Sequence, residues 1–140
     1  MSNLVLELRQ GEMMIVNGAA IRFRNKTRIE LTSRARFLFG KQIMAPEQAD
    51  SPARRIYYAL QSAYIGVEEA RAEALREARE FIDHFNAGSA SPLAGEILAR
   101  ALAAAEADDC YQALRLARQV MRYEDSVLGR APPARAQTAG

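Results

Sequence analysis

One cysteine and one histidine, Cys110 and His84, are all that this 140-residue chain offers to thiol or imidazole chemistry. A lone cysteine forms no intrachain disulfide and cannot found a metal site on several thiolates. A Ser–His–Asp or Cys–His catalytic arrangement would have to use His84, which stands between Asp83 and Phe85 in a helical pattern of Ala, Glu and Arg. No phosphate loop of the form G-x-x-x-x-G-K-[ST] is present; Gly40-Lys41 stands alone. The acidic residues after position 67 lie beside arginines at helical spacing, which is the pattern of solvated ion pairs. Asp108-Asp109 reads more simply as a helix cap than as a metal pair. No apolar run approaches the roughly 20 residues that cross a bilayer. The first nine residues alternate Leu and Val with polar side chains and lack the continuous apolar stretch of a signal peptide. These absences predict a cytoplasmic protein that is not an enzyme, with no metal, no cofactor and no membrane segment.

What is present is enough apolar material to fold. Hydrophobic residues make up 49% of the chain and charged ones 26%, which suits one compact domain or two small coupled subdomains. The net charge is only +2, but it is unevenly placed. Residues 1–45 hold eight basic and three acidic side chains, a surplus of five positive charges. Residues 46–128 hold nine basic and fourteen acidic ones, a surplus of five negative charges. Arg130 and Arg135 add the remaining two positive charges. A basic front half is suited to a polyanion such as nucleic acid, or simply keeps an exposed sheet soluble.

The periodicity changes near residue 45. Leu4, Leu6 and Leu8 alternate with Val5, Glu7 and Arg9, the period of a half-buried strand. After the Gln10-Gly11-Glu12 turn comes a second run, Met13 to Val16. Asn17-Gly18 is a hairpin signal, because a type I′ turn needs positive φ at both central positions. Ala19 to Arg24 puts Ala19, Ile21 and Phe23 on one face. Thr27 to Thr32 does the same for Ile29 and Leu31, and Ala35 to Phe39 closes a fifth run. The expectation is an antiparallel meander of five short strands over residues 1–45.

Helical spacing follows. Ser51-Pro52 is a helix start, with Ser as N-cap and Pro in the first turn. Ile56, Leu60 and Tyr64 recur at every fourth position, and Gly66 is placed to end that helix. A second helix is expected over 67–86, buried along Ala70, Ala74, Ala78, Phe81 and Phe85, with surface pairs Glu73–Arg76, Arg76–Glu80 and Arg79–Asp83. Ser91-Pro92 starts a third helix, running to about Ala107. Asp108 or Asp109 caps a fourth, whose stripe is Cys110, Ala113, Leu114, Ala117, Val120 and Met121, with Val127 and Leu128 as candidates to extend it; Gly129 ends it. Residues 130–140 carry no periodicity and are expected to be a disordered tail. The fold class is therefore α+β: a basic β subdomain over 1–45, then a helical subdomain of about four helices over 46–129.

Several segments, in order, resemble the FlbT family of flagellum biosynthesis repressors. They are Leu6-Glu7-Leu8-Arg9-Gln10-Gly11-Glu12, Val16-Asn17-Gly18-Ala19 and the stretch from Lys41 to Ala49. The most distinctive is Ser51-Pro52-Ala53-Arg54-Arg55-Ile56-Tyr57-Tyr58; Ala113-Leu114-Arg115 and Val120-Met121-Arg122-Tyr123-Glu124 follow. The resemblance covers residues 4 to about 128. It implies a post-transcriptional regulator that associates with the 5′ untranslated region of flagellin mRNA, blocks its translation and promotes its degradation. The N-terminal half is also similar to the carbon storage regulators, whose five short strands interleave in a dimer. Arg9-Gln10-Gly11-Glu12-Met13-Met14-Ile15 and the stretch from Phe37 to Ile43 sit in matching order. Gly40 departs from that pattern, standing about where the family has a basic side chain, with Lys41 one residue later.

Two functional readings remain open at this point. The first is an RNA-binding repressor that holds a flagellin mRNA leader, with Arg9, Arg22, Arg24, Lys26, Arg28, Arg34, Arg36 and Lys41 as candidate contacts. Arg54-Arg55 and the stripe Arg115, Arg118, Arg122 form a second-choice surface; a salt-bridged helix face explains the stripe equally well. Tyr57, Tyr58 and Tyr64 either stack on bases or pack between helices. The second reading is a protein-binding adaptor acting on a flagellin, its chaperone or another flagellar assembly factor. In both, open strand edges and an apolar face predict a homodimer.

Overall fold

The computed structural model describes residues 4–33 and 36–129. Five strands come first: β1 (Leu4–Leu8), β2 (Met13–Val16), β3 (Ala19–Arg22), β4 (Thr27–Leu31) and β5 (Phe37–Phe39). Four helices follow: α1 (Pro52–Ile65), α2 (Arg71–Gly88), α3 (Pro92–Glu106) and α4 (Cys110–Leu128). The α+β class read from the sequence is the class observed. The expected tail, 130–140, lies outside the described residues, as do Arg34 and Ala35.

The strands do not pair as a sequential meander. β2 and β3 form the expected hairpin, Val16 facing Ala19 across a turn with Asn17 at φ 49° and Gly18 at φ 88°. β1, however, pairs with β4, Leu6 facing Ile29 and Leu8 facing Thr27. β5 completes a second sheet in the order β3-β2-β5. The cause is the bend at residues 9–12. Gly11 adopts φ 86°, its N–H donates to the Phe23 carbonyl, and the Phe23 N–H donates to the Glu12 carbonyl. That crossing extends the β2–β3 ladder and turns β1 away from it. Glu12 fixes the bend by accepting from the Arg9 N–H at 2.7 Å.

Strand alternation then divides the interior in two. Met14, Val16, Phe37 and Phe39 face β1 and β4 and pack with Leu6 and Leu8. Ile15 and Leu38, pointing the opposite way, pack into the helical core with Ile56, Tyr57 and Leu60. The three-stranded sheet is thus covered on one face by the β1–β4 ribbon and on the other by helices. Burying a side chain such as Leu38 contributes about 1.5–3 kcal/mol. β3 lies at the edge: all four of its residues are exposed, including Ile21, which was expected on a buried face.

α1 is the centre of the helical unit and its tie to the strands. The Ser51 hydroxyl caps it by accepting from the Arg54 N–H, and Pro52 occupies the first turn. Ile56 and Leu60 are fully buried. Gln61 accepts from the Met44 N–H at 2.8 Å and donates to the Met44 carbonyl at 2.9 Å, pinning the connector. The Tyr64 hydroxyl accepts from the Phe37 N–H. Gly66 ends the helix; a Cβ there would lie 2.5 Å from the Ser62 carbonyl oxygen.

The remaining helices follow the sequence with local shifts. A 3-10 turn at Glu68–Ala70 precedes α2, so Ala70 is exposed and Ile82 takes a buried place on the stripe. Glu73–Arg76 and Arg76–Glu80 pair as spaced, but Arg79 pairs with Glu106 of α3 instead of Asp83. Asp109 precedes α4 without a side-chain cap bond. Asp108 instead accepts from Arg36 and Arg71, both at 2.7 Å, in a left-handed turn at φ 66°. It thereby joins the strand β5 entry to the helices. Gly129 closes α4 in the left-handed conformation at φ 73°.

Candidate nucleic-acid interface

Two surfaces carry the basic residues. The first is one end of the β unit. Leu8 faces Thr27 in the β1–β4 ladder, so Arg9 and Lys26 follow at the same end. The Gly11–Phe23 and Phe23–Glu12 bonds lay the 9–12 bend against residues 22–24. The Arg22 guanidinium donates to the Gly11 carbonyl at 3.1 Å. Arg9, Arg22, Arg24 and Lys26, all exposed, therefore lie at one end of the β unit, where the Glu12 carboxylate accepts from the Arg9 backbone N–H. Lys41 is exposed and follows Gly40, whose α-carbon lies beside the Glu12 carboxylate. None of these five cations forms an ion pair with a described residue.

The other N-terminal candidates are placed differently. Arg28 pairs with Glu7 at 3.2 Å across the β1–β4 ribbon. Arg36 is committed to Asp108, and its backbone exchanges two hydrogen bonds with Asn17. Arg34 lies outside the described residues.

The second surface is the outward face of α4. Tyr111, Arg115, Arg118, Gln119 and Arg122 share it, and with Leu38, Gln42 and Tyr57 they line a cleft of about 270 Å³. Arg118 donates to the Tyr57 hydroxyl at 2.7 Å, which donates to the Gln42 carbonyl at 2.7 Å. Burial pushes the Tyr57 phenol above its ordinary pKa, and the neighbouring Arg118 opposes that rise. Arg115 and Arg122 are exposed and pair with no described carboxylate. The two acids that follow Arg122 on α4 are committed elsewhere. Glu124 accepts from the Ser51 hydroxyl at 2.5 Å and the Ala53 N–H at 2.9 Å, and Asp125 receives both terminal nitrogens of Arg54.

Arg54 is consequently buried and neutralised, its guanidinium held charged by the hydrogen bonds to Asp125 against the cost of burial. Arg55, its neighbour, is exposed. Tyr57 is buried, and Tyr58 and Tyr64 are half-buried against the helical core, so all three serve packing. The exposed tyrosines are Tyr111 and Tyr123. Sequence reasoning passed over Tyr111, although its place four residues before Arg115 puts it on the arginine face.

Among the described residues, no group of three or more His, Cys, Asp or Glu is placed to hold a metal. Among the same residues, no helix is long and apolar enough to cross a membrane. Cys110 is buried and its thiol is pushed up by that burial.

Comparison with known proteins places these residues in a family. The family model described as flagellar protein FlbT matches residues 4–128. The probable flagellum biosynthesis repressor protein FlbT of Caulobacter sp. (strain K31) is 32% identical over 130 residues, covering 90% of this chain and 96% of the relative. The flagellum biosynthesis repressor protein FlbT of Caulobacter vibrioides (strain ATCC 19089) is also 32% identical, covering 90% of this chain and 89% of the relative. A probable flagellum biosynthesis repressor protein FlbT of Brucella ovis is 39% identical over 56 residues, covering 40% of this chain and 37% of the relative. No solved structure matches. These relatives are named as regulators, not as enzymes, and the matched span takes in both basic surfaces: the chain belongs to the FlbT family of flagellar proteins.

Proposed function

We propose that this protein is a cytoplasmic post-transcriptional repressor of flagellin synthesis that binds the 5′ untranslated region of flagellin mRNA, blocking translation and promoting decay. One observation carries the reading: Arg9, Arg22, Arg24, Lys26 and Lys41 lie exposed at one end of the β unit, none in an ion pair with a described residue. Exposed, unpaired cations of this kind hold phosphates by releasing counterions, and Arg adds bidentate contacts. The repressor names of the relatives support the same direction. Two copies would act together, joined through the β1–β4 ribbon, whose two strands form a sheet of their own and leave Leu4 and Val5 exposed.

The test is translation in a purified system. A transcript carrying a flagellin leader should give less product as the protein is added. The same coding region behind an unrelated leader should be unaffected. Equal effects on both transcripts, or none on either, would end the reading.

The adaptor reading has one observation in its favour. Phe85, Tyr123, Val127 and Leu128 line an apolar groove between the ends of α2 and α4, with Val127 and Leu128 more than half exposed. Leader-independent repression that requires a second flagellar protein would favour it.

A further inference from the structure

We propose that the α4 cleft is a nucleotide site, separate from the basic end of the sheet, in which Arg115, Arg118 and Arg122 take a phosphate and Tyr111 takes the base. The inference goes beyond the repressor reading and does not depend on it.

Charge is the first ground. From Cys110 to Tyr123, α4 contains no acidic residue, and Arg115, Arg118 and Arg122 lie at spacings of three and four on one face. Glu124 and Asp125, the acids that follow Arg122, are buried and bound to Ser51, Ala53 and Arg54. Three guanidinium groups therefore line one cleft in which no described residue supplies a counter-charge. An anion inside it would relieve their mutual repulsion.

Preorganisation is the second ground. Arg118 is half-buried, its carbon centre 5.3 Å from the Tyr57 ring centroid, and one terminal nitrogen is held by the Tyr57 hydroxyl. That hydroxyl is in turn anchored on the Gln42 carbonyl. The guanidinium is held in place while its other N–H groups remain available. A planar fork fixed in this way matches phosphate oxygens better than a mobile ammonium would.

Size and polarity select the ligand. The cleft, about 270 Å³, suits one nucleotide better than a length of strand. Tyr111 lines the cleft and is 46% exposed as a residue, with its hydroxyl accepting from Gln42, so a base can stack on its ring. The amide of Gln119 lines the same cleft and can meet a base edge, while the Gln42 amide accepts from the Phe39 N–H and donates to the Tyr111 hydroxyl, steadying the rim. A free nucleotide and a single unpaired nucleotide of an RNA strand present this same chemistry.

Three probes distinguish the sources: inorganic phosphate, a nucleoside 5′-monophosphate and a single-stranded RNA pentamer, each titrated into the full chain at constant ionic strength. The monophosphate should bind more tightly than phosphate alone. Arg115→Gln with Arg122→Gln should weaken it at least tenfold, with an unchanged melting temperature because neither side chain holds the fold together. Tyr111→Ala should weaken the monophosphate several-fold and leave inorganic phosphate unaffected. Arg22→Ala with Arg24→Ala should bind the monophosphate as the unaltered protein does, which separates this site from the sheet. Binding of the pentamer but not the monophosphate, with the same dependence on Arg115 and Arg122, would assign the cleft to an RNA nucleotide. No binding of either, or binding indifferent to Arg115, Arg122 and Tyr111, would overturn the proposal.

Discussion

Arg54 and Asp125, 71 positions apart, meet in a two-bond pair inside the protein, with Nη1 2.7 Å from one carboxylate oxygen and Nη2 3.0 Å from the other. The pair fastens the first turn of α1 to the last turns of α4. Arg54→Ala would leave Asp125, only 2% exposed, with no counter-charge. The expected loss is about 3–5 kcal/mol in denaturant unfolding. Arg54→Met combined with Asp125→Leu should cost much less than the two single changes together. Additive losses would show that the pair is not the source of the effect.

Ile56 tests the joint between strands and helices. It is fully buried in the core that also contains Leu38 of β5. Ile56→Ala should cost about 2–5 kcal/mol. A loss below about 0.5 kcal/mol would contradict its place there.

Tyr57 gives the fold a response to alkali. Burial raises its phenol pKa, opposed by Arg118. A raised folded value stabilises the protein fully below the unfolded pKa, near 10, and the contribution is lost as pH climbs past it toward the folded value. Melting temperatures measured from pH 8 to 11 should therefore fall in the upper part of that range. In Tyr57→Phe, the part of the fall that belongs to this phenol should be missing. An identical alkaline profile in the two proteins would remove Tyr57 as its origin.

The dimer is tested by sedimentation at tens of micromolar. Association through the β1–β4 ribbon predicts a species of twice the 15.5 kDa chain mass. Replacing Val5, which is 52% exposed, with Lys should shift it to the monomer without loss of helical signal. A monomer in the unaltered protein would contradict the expectation.

Local rules made much of the architecture legible. Asn17-Gly18 announced its hairpin, and the two Ser-Pro pairs announced α1 and α3, because capping and turn chemistry act within a few residues. Strand order was not legible. The pairing of β1 with β4 depends on how Gly11 and Phe23 meet, a contact between residues twelve positions apart. The same limit applies to the candidate site. Charge counting found the basic residues, but exposed Arg115 and buried Arg54 look alike until the partner carboxylates are located. Arg36 likewise reads as a free cation in sequence and is committed to Asp108 in space.

The most direct measurement is the affinity of the purified protein for a flagellin leader RNA as a function of salt. If the cationic end of the β unit holds phosphates, log affinity should fall linearly with log salt, with about 0.7 to 0.9 of slope for each phosphate contact. Arg22→Ala with Arg24→Ala should weaken binding and flatten that slope by about one to two units. Arg100→Ala, an exposed change on α3 away from both basic surfaces, should do neither. A slope and affinity that are the same in the Arg22/Arg24 variant as in the unaltered protein, or no binding of the leader by the pure protein, would contradict the account.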